Sequence, residues 1–262
     1  MLSAILTLSG IGLIAGIGLG IAYKKFAVKT DPLVERVCAC LPGANCGGCG
    51  FSGCIGLAEA IVNGKAGGNA CVAGGEEVSK AIAAIMGVEA IIGPKKVAKI
   101  MCKGGKKEGV VHKFEYAGIS NCRAASLIAG GWKGCNYGCL GLGSCVEVCP
   151  FGALKMGDNN LPIVDENICT GCGKCVVICP KQVIVLVPVT AKTIVYCNSK
   201  DKGTKVKTIC RAGCLGCGLC RKVCPNDAII LENNLARVDY DKCISCEQCI
   251  EKCPTKIIGH IS

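Results

Sequence analysis

Aromatic side chains make up only 4% of the 262 residues, and histidine occurs twice, as His112 and His260. Two histidines in basic or terminal stretches do not assemble a histidine-based metal or acid–base site, and both read as solvated surface residues. The lone Trp132 reads as a packing residue. The chain offers no RNP-type aromatic motif, helix-turn-helix or zinc-finger pattern, which sets nucleic acid aside as a partner. No G-x-x-x-x-G-K-[ST] loop, nucleophile elbow or H-E-x-x-H motif is present, so no site for substrate chemistry is marked. Gly48, Gly50 and Gly53 do match G-x-G-x-x-G, but they are interleaved with cysteines and lack a preceding strand, so a dinucleotide site is not expected there.

Cysteine, by contrast, is abundant: 26 of 262 residues. In a short secreted chain this would suggest disulfides, but here the cysteines fall in metal-ligand runs, which need thiolates and a reducing compartment. The clearest run is Cys214-Leu-Gly-Cys217-Gly-Leu-Cys220-Arg-Lys-Val-Cys224-Pro225, answered by Cys243-Ile-Ser-Cys246-Glu-Gln-Cys249-Ile-Glu-Lys-Cys253-Pro254. Both read C-x2-C-x2-C-x3-C-P, the run that holds [4Fe–4S] clusters, with the fourth cysteine serving the neighbouring cube. Cys214, Cys217, Cys220 and Cys253 are therefore expected at one cluster, and Cys243, Cys246, Cys249 and Cys224 at the other. A pair of structural zinc sites is the competing reading, but zinc sites usually use two separated C-x2-C knuckles. The formal charge of +11 leaves out the cofactors. Five or six clusters at about −2 each would bring the sum to about +1 or −1, so the basic excess says little about partners.

Leu2 to Tyr23 carries no charged side chain. As a helix it would reach roughly 33 Å, against a hydrocarbon core of about 30 Å, so a single transmembrane anchor is expected. Lys24, Lys25 and Lys29 follow it, which places the cluster-bearing bulk on the cytoplasmic side of the cell membrane. Gly12, Gly16 and Gly20 form a smooth stripe suited to packing on another membrane helix. Cys46, Cys49, Cys54 and Cys71 then form a self-contained four-cysteine [4Fe–4S] module, with helices expected from Ile55 to Asn63 and around Val78, Ile82 and Ile85. Cys38 and Cys40 read as free thiols in a linking segment.

A first ferredoxin pair follows. Cys135, Cys139, Cys145 and Cys149 form a stretched run whose extra residues could be absorbed by Gly138, Gly141 and Gly143. Cys169, Cys172, Cys175 and Cys179 form a regular one. Crossing gives Cys135, Cys139, Cys145 and Cys179 at one cluster, and Cys169, Cys172, Cys175 and Cys149 at the other. Before each pair stands an apolar strand (Val97 to Met101, then Ile194 to Tyr196), a cysteine, a Lys/Gly-rich loop and Cys-Arg-Ala, an internal repeat. It leaves Cys102, Cys122, Cys197 and Cys210. These four are assigned to a sixth cluster where the halves meet, against the alternative of buried or free thiols at strand ends.

A glycine-striped helix, Asp31-Pro, Leu41-Pro, Cys46-Gly-Gly-Cys49-Gly-Phe-Ser-Gly-Cys54, Cys71, Gly74-Gly75, Cys122-Arg-Ala-Ala and Gly134-Cys-Asn-Tyr-Gly-Cys-Leu-Gly-Leu-Gly-Ser-Cys145 follow in order. This resembles the B subunit of the Rnf complex, the membrane ferredoxin:NAD oxidoreductase that translocates Na+ or H+, in its form with two ferredoxin pairs. The resemblance implies an electron-transfer subunit without an active site of its own. It would take electrons from soluble ferredoxin and pass them to membrane and NAD/flavin-binding subunits. The alternative is an electron-carrying subunit of another membrane dehydrogenase or hydrogenase; a zinc-binding interaction protein is more remote.

The expected fold is α+β and cluster-rich, with loops, short antiparallel strands and small helices. The anchor would occupy 1–30, the mostly helical four-cysteine module 31–95, the first ferredoxin-like pair 96–190 and the second 191–262.

Overall fold

The computed structural model describes residues 2–26, 31–90, 92–107 and 109–260, with side chains of the first helix described from Ser9 onward. Lys29 lies outside the described residues. Helix α1 (Leu2–Phe26) is apolar on every side, and Ile11, Leu13, Ile14, Ile17, Leu19 and Ile21 are all exposed. The described side chains of α1 include Lys24 and Lys25, and among the described residues no helix is long and apolar enough to cross a membrane.

Helix α2 (Pro32–Cys40) starts where Asp31 accepts the Leu33 N–H at 2.8 Å, with Pro32 in the first turn where its missing N–H costs nothing. The expectation of a linking segment around Cys38 and Cys40 is therefore corrected. Val34, Val37 and Leu41 recur at helical spacing and are buried, and both cysteines are half-buried against the same core. That core is completed by α3 (Cys54–Val62), through Leu57 and Ile61, and by α4 (Gly75–Met86), through Ile82. Helix α4 stops at Gly87, which takes the left-handed conformation that suits glycine.

The middle of the chain runs β1 (Lys96–Ile100), α5 (Cys122–Leu127), α6 (Ser144–Glu147), β2 (Leu154–Met156), β3 (Pro162–Val164), α7 (Lys174–Ile178) and β4 (Ile184–Pro188). The last part runs β5 (Thr193–Val195), α8 (Gly203–Ile209), α9 (Leu219–Lys222), β6 (Ile229–Glu232), β7 (Leu235–Val238), α10 (Gln248–Lys252) and β8 (Ile258–His260). The two parts share one plan. First and last strands pair antiparallel, β1 with β4 and β5 with β8, and an inner hairpin pairs β2 with β3 and β6 with β7. The strands at Val97 and Ile194 thus form where the sequence placed them, each closing its own unit.

Each unit has a small aliphatic core. The first gathers Val97, Ile100, Leu154, Val183, Ile184 and Val187; the second gathers Val195, Ile229, Leu235, Ile257 and Ile258. The units join at one seam. The Lys103 N–H donates to the Tyr196 carbonyl at 3.1 Å, the Lys103 ammonium lies 4.9 Å from the Tyr196 ring centre, and the Asn198 side-chain amide donates to the Lys181 carbonyl at 3.0 Å. A second seam holds the N-terminal helices. A Cβ built on Gly48 would stand 2.5 Å from the Cys172 carbonyl oxygen, so only glycine lets that loop lie against the first unit. This is the local role of a glycine from the spurious G-x-G-x-x-G match.

Candidate iron–sulfur sites

The cluster-binding turns reuse one backbone shape. In the run 169–175 the left-handed residues are Gly171 and Gly173; in 214–220 they are Gly216 and Gly218; in 243–249 they are Ser245 and Glu247. Each pair flanks the second cysteine of its run, turning the chain so that successive thiols face one point. In the stretched run the left-handed pair is Gly141 and Gly143. The residue between them is Leu142. That turn is therefore not stretched at all. Cys139, Leu142, Cys145 and Cys149 stand in the places of Cys214, Cys217, Cys220 and Cys224, and α6 matches α9. The sequence carried this signal: counting back from Cys149-Pro150 as from Cys224-Pro225 puts leucine in the second place.

Four groups of cysteines line small cavities. Cys46, Cys49, Cys54 and Cys71 line one. Cys149, Cys169, Cys172 and Cys175 line another. Cys214, Cys217, Cys220 and Cys253 line a third. The fourth, at the seam between the units, is lined by Cys102, Cys135, Cys197 and Cys210. Two of the others draw three thiols from one run and one from the partner run. Of the set assigned to a sixth cluster, the structure brings Cys102, Cys197 and Cys210 together, with Cys135 among them.

Cys122 stands elsewhere. Its N–H donates to Ser144 Oγ at 2.9 Å, beside Cys145. Burial pushes the Cys145 thiol up to about 11, and the charges of Cys122 and Cys179 push the same way. Burial also pushes the Cys139 thiol well up, with Cys102 and Cys145 as neighbours. Cys122, Cys139 and Cys179 are thus each neighbours of Cys145. In the second unit burial raises Cys249 to about 11, with Cys243, Cys246 and Cys224 adding to it. Cys253 is different. Burial pushes it up, but the N–H groups of Ile258, Ile257 and Thr255 and the Thr255 hydroxyl outweigh burial and hold its thiol below the ordinary range.

The donor set suits a cube. Backbone N–H groups already point at sulfur: Ala98 at Cys169 (3.5 Å), Ala228 at Cys224 (3.2 Å), Cys139 at Cys102 (3.4 Å) and Cys214 at Cys197 (3.3 Å). Such bonds orient thiolates and tune the potential of what they hold. The last two are equivalent: in each unit the first cysteine of the run donates to the cysteine after the opening strand. The Thr170 hydroxyl, beside Cys169, is buried with no partner among the described residues. Cys102 and Cys210 meet over Gly104, where an added Cβ would lie 3.5 and 3.6 Å from the two sulfurs. Among the described residues no three His, Cys, Asp or Glu side chains close on a single ion; a cube spreads its ligands over its corners, so that geometry concerns lone ions only. His112 is exposed on a short bridge to Lys133, and His260 is exposed beside Glu247, 3.4 Å away. Trp132 stacks on Tyr116 with ring centres 5.1 Å apart, a packing role.

Family models match the cysteine-rich stretches. An Fe-S cluster family matches residues 41–73, and 4Fe-4S dicluster domain families match 134–184, 168–228 and 206–254. The B subunit of the Na(+)-translocating ferredoxin:NAD(+) oxidoreductase complex of Acetobacterium woodii is 50% identical over 263 residues, 99% of this chain and 79% of that one. The chain belongs to the family of Rnf B subunits. The counterpart from the proton-translocating complex of Clostridium ljungdahlii is 51% identical, covering 96% of this chain and 89% of its own. The B subunit of the ion-translocating oxidoreductase complex of Methanosarcina acetivorans is 43% identical, covering 98% and 97%. With its 4Fe-4S domains, this Rnf B subunit is a multi-cluster electron-transfer component of an ion-translocating oxidoreductase complex.

Proposed function

We propose that this subunit holds six [4Fe–4S] clusters and carries electrons from reduced ferredoxin toward the membrane and NAD/flavin-binding subunits of its complex. The carrying observation is the grouping of cysteines in fours. Cys46, Cys49, Cys54 and Cys71 hold one cluster. Cys149, Cys169, Cys172 and Cys175 hold a second. Cys214, Cys217, Cys220 and Cys253 hold another, and Cys224, Cys243, Cys246 and Cys249 its neighbour. The remaining two sets differ from simple crossing: Cys122 joins Cys139, Cys145 and Cys179, and Cys135 joins Cys102, Cys197 and Cys210. Leu142 supports this exchange, because the turn it occupies lacks a thiol that Cys122 is placed to supply.

Bound, such clusters supply reversible one-electron chemistry. The chain's own part is to fix the thiols, aim N–H groups at sulfur and shield the sites with small aliphatic cores. The seam set joins the two ferredoxin-like units, since Cys102 and Cys135 come from the first, Cys197 and Cys210 from the second, and all four line one cavity. Helix α1 is assigned as the membrane anchor. Its described apolar side chains from Ile11 to Ile21 are uncovered, the chain is uncharged from Leu2 to Tyr23, and the cations that follow favour a cytoplasmic position for the cluster units. We take 1–30, 31–95, 96–190 and 191–262 as the anchor and the three cluster-bearing parts.

The test is reduction of the intact, anaerobically prepared complex by reduced ferredoxin. The visible iron–sulfur absorption of this subunit should bleach, and the Cys197→Ala complex should bleach only in part while dithionite still reduces its remaining clusters. Full bleaching by dithionite with none by ferredoxin would refute the proposed donor.

A further inference from the structure

We propose that Lys133 is the electrostatic partner of the seam site, its ammonium favouring the more negative, reduced form of the cluster held by Cys102, Cys135, Cys197 and Cys210. This rests on the ligand set given above. Lys133 is 6% exposed and lines the same cavity as those four cysteines. Its Nζ donates to the Gly104 carbonyl at 2.7 Å in a buried bond, and Gly104 is the residue over which the Cys102 and Cys210 sulfurs meet. The backbone around it is fixed by the bridge from His112 to Lys133 and by the Lys113 N–H, which donates to the Trp132 carbonyl at 2.6 Å.

A buried lysine needs an answering charge. Lys99, equally buried at 5%, has one in Glu166. Among the described ion pairs Lys133 has no carboxylate. The anionic groups within its reach are sulfurs. Through Gly104, Lys133 sits against the Cys102 and Cys210 sulfurs, and it shares their cavity with Cys135 and Cys197. A cube with four thiolates carries about −2 when oxidised and about −3 when reduced. A cation at short range in a low-dielectric pocket therefore favours reduction and raises the midpoint potential of that site.

The experiment is an EPR-monitored redox titration of the anaerobic complex carrying Lys133→Met, with Lys133→Arg beside it and iron measured in each. With iron unchanged, Lys133→Met should move one midpoint to lower potential and leave the distant ones in place, while Lys133→Arg should stay near the wild type. Loss of about four irons, one cube, in Lys133→Met but not in Lys133→Arg would also support a charge role. Unchanged midpoints at full iron content, or equal iron loss in both variants, would overturn it. A wild-type subunit with about 20 irons, five cubes, would instead defeat the six-cluster reading, so the two failures are distinguishable.

Discussion

Leu142 and Cys122 carry the sharpest consequence at the level of single residues. The turn around Leu142 has the left-handed pair Gly141 and Gly143 of a regular cluster loop, with an aliphatic side chain where the other loops place a thiol. If Cys122 supplies the missing ligand, Cys122→Ala should remove about four irons, one cube's worth. Adding Leu142→Cys should restore them. The same second change should not rescue Cys135→Ala, because Cys135 serves the seam. Iron content and EPR of the three variants check this, and rescue of the Cys135 variant instead would reverse the assignment. The regular runs could be read from spacing alone, because their four cysteines and proline are contiguous. The exchange could not be read from cysteine counts, since the thiols of Cys122 and Cys135 are chemically equal. It depends on which loop reaches which cavity, and the support for it lies in the left-handed pair at Gly141 and Gly143 and in Cys135 lining the seam cavity.

Among elements, the strands were the most legible. The apolar stretches at Val97 and Ile194 are short and flanked by cysteine and lysine, and both form outer strands. Helix α2 was not legible, because the cysteines at 38 and 40 mask the Val34, Val37 and Leu41 spacing that buries one face. Contacts between elements were also hidden. The loop at Gly48 meets the loop at Cys172 through backbone atoms, and no side-chain pattern records that. Gly48→Ala would place a methyl 2.5 Å from the Cys172 carbonyl oxygen, forcing backbone shifts of the kind that cost about 1–3 kcal/mol. The expected outcome is unchanged iron content with weaker magnetic coupling between the clusters on either side of that contact, measured by EPR of the reduced protein. Unaltered coupling would mean that the two loops do not meet as described.

Over the whole molecule, the fold is too slight to stand on apolar packing alone. Among the described residues the four sheets have two strands each, and isolated two-stranded sheets are marginal in water. The aliphatic cores are small and split among three places. Ligation of iron by thiolates must therefore supply much of the folding free energy. It also accounts for the composition: aromatics are scarce because cubes occupy the interior space that large side chains would otherwise fill, and the excess of lysine and arginine offsets cluster charge. The most direct measurement is iron and acid-labile sulfide per polypeptide in the anaerobically purified subunit. Six cubes predict about 24 of each. Zinc in place of iron, or no labile sulfide, would contradict the reading of these cysteines as cluster ligands.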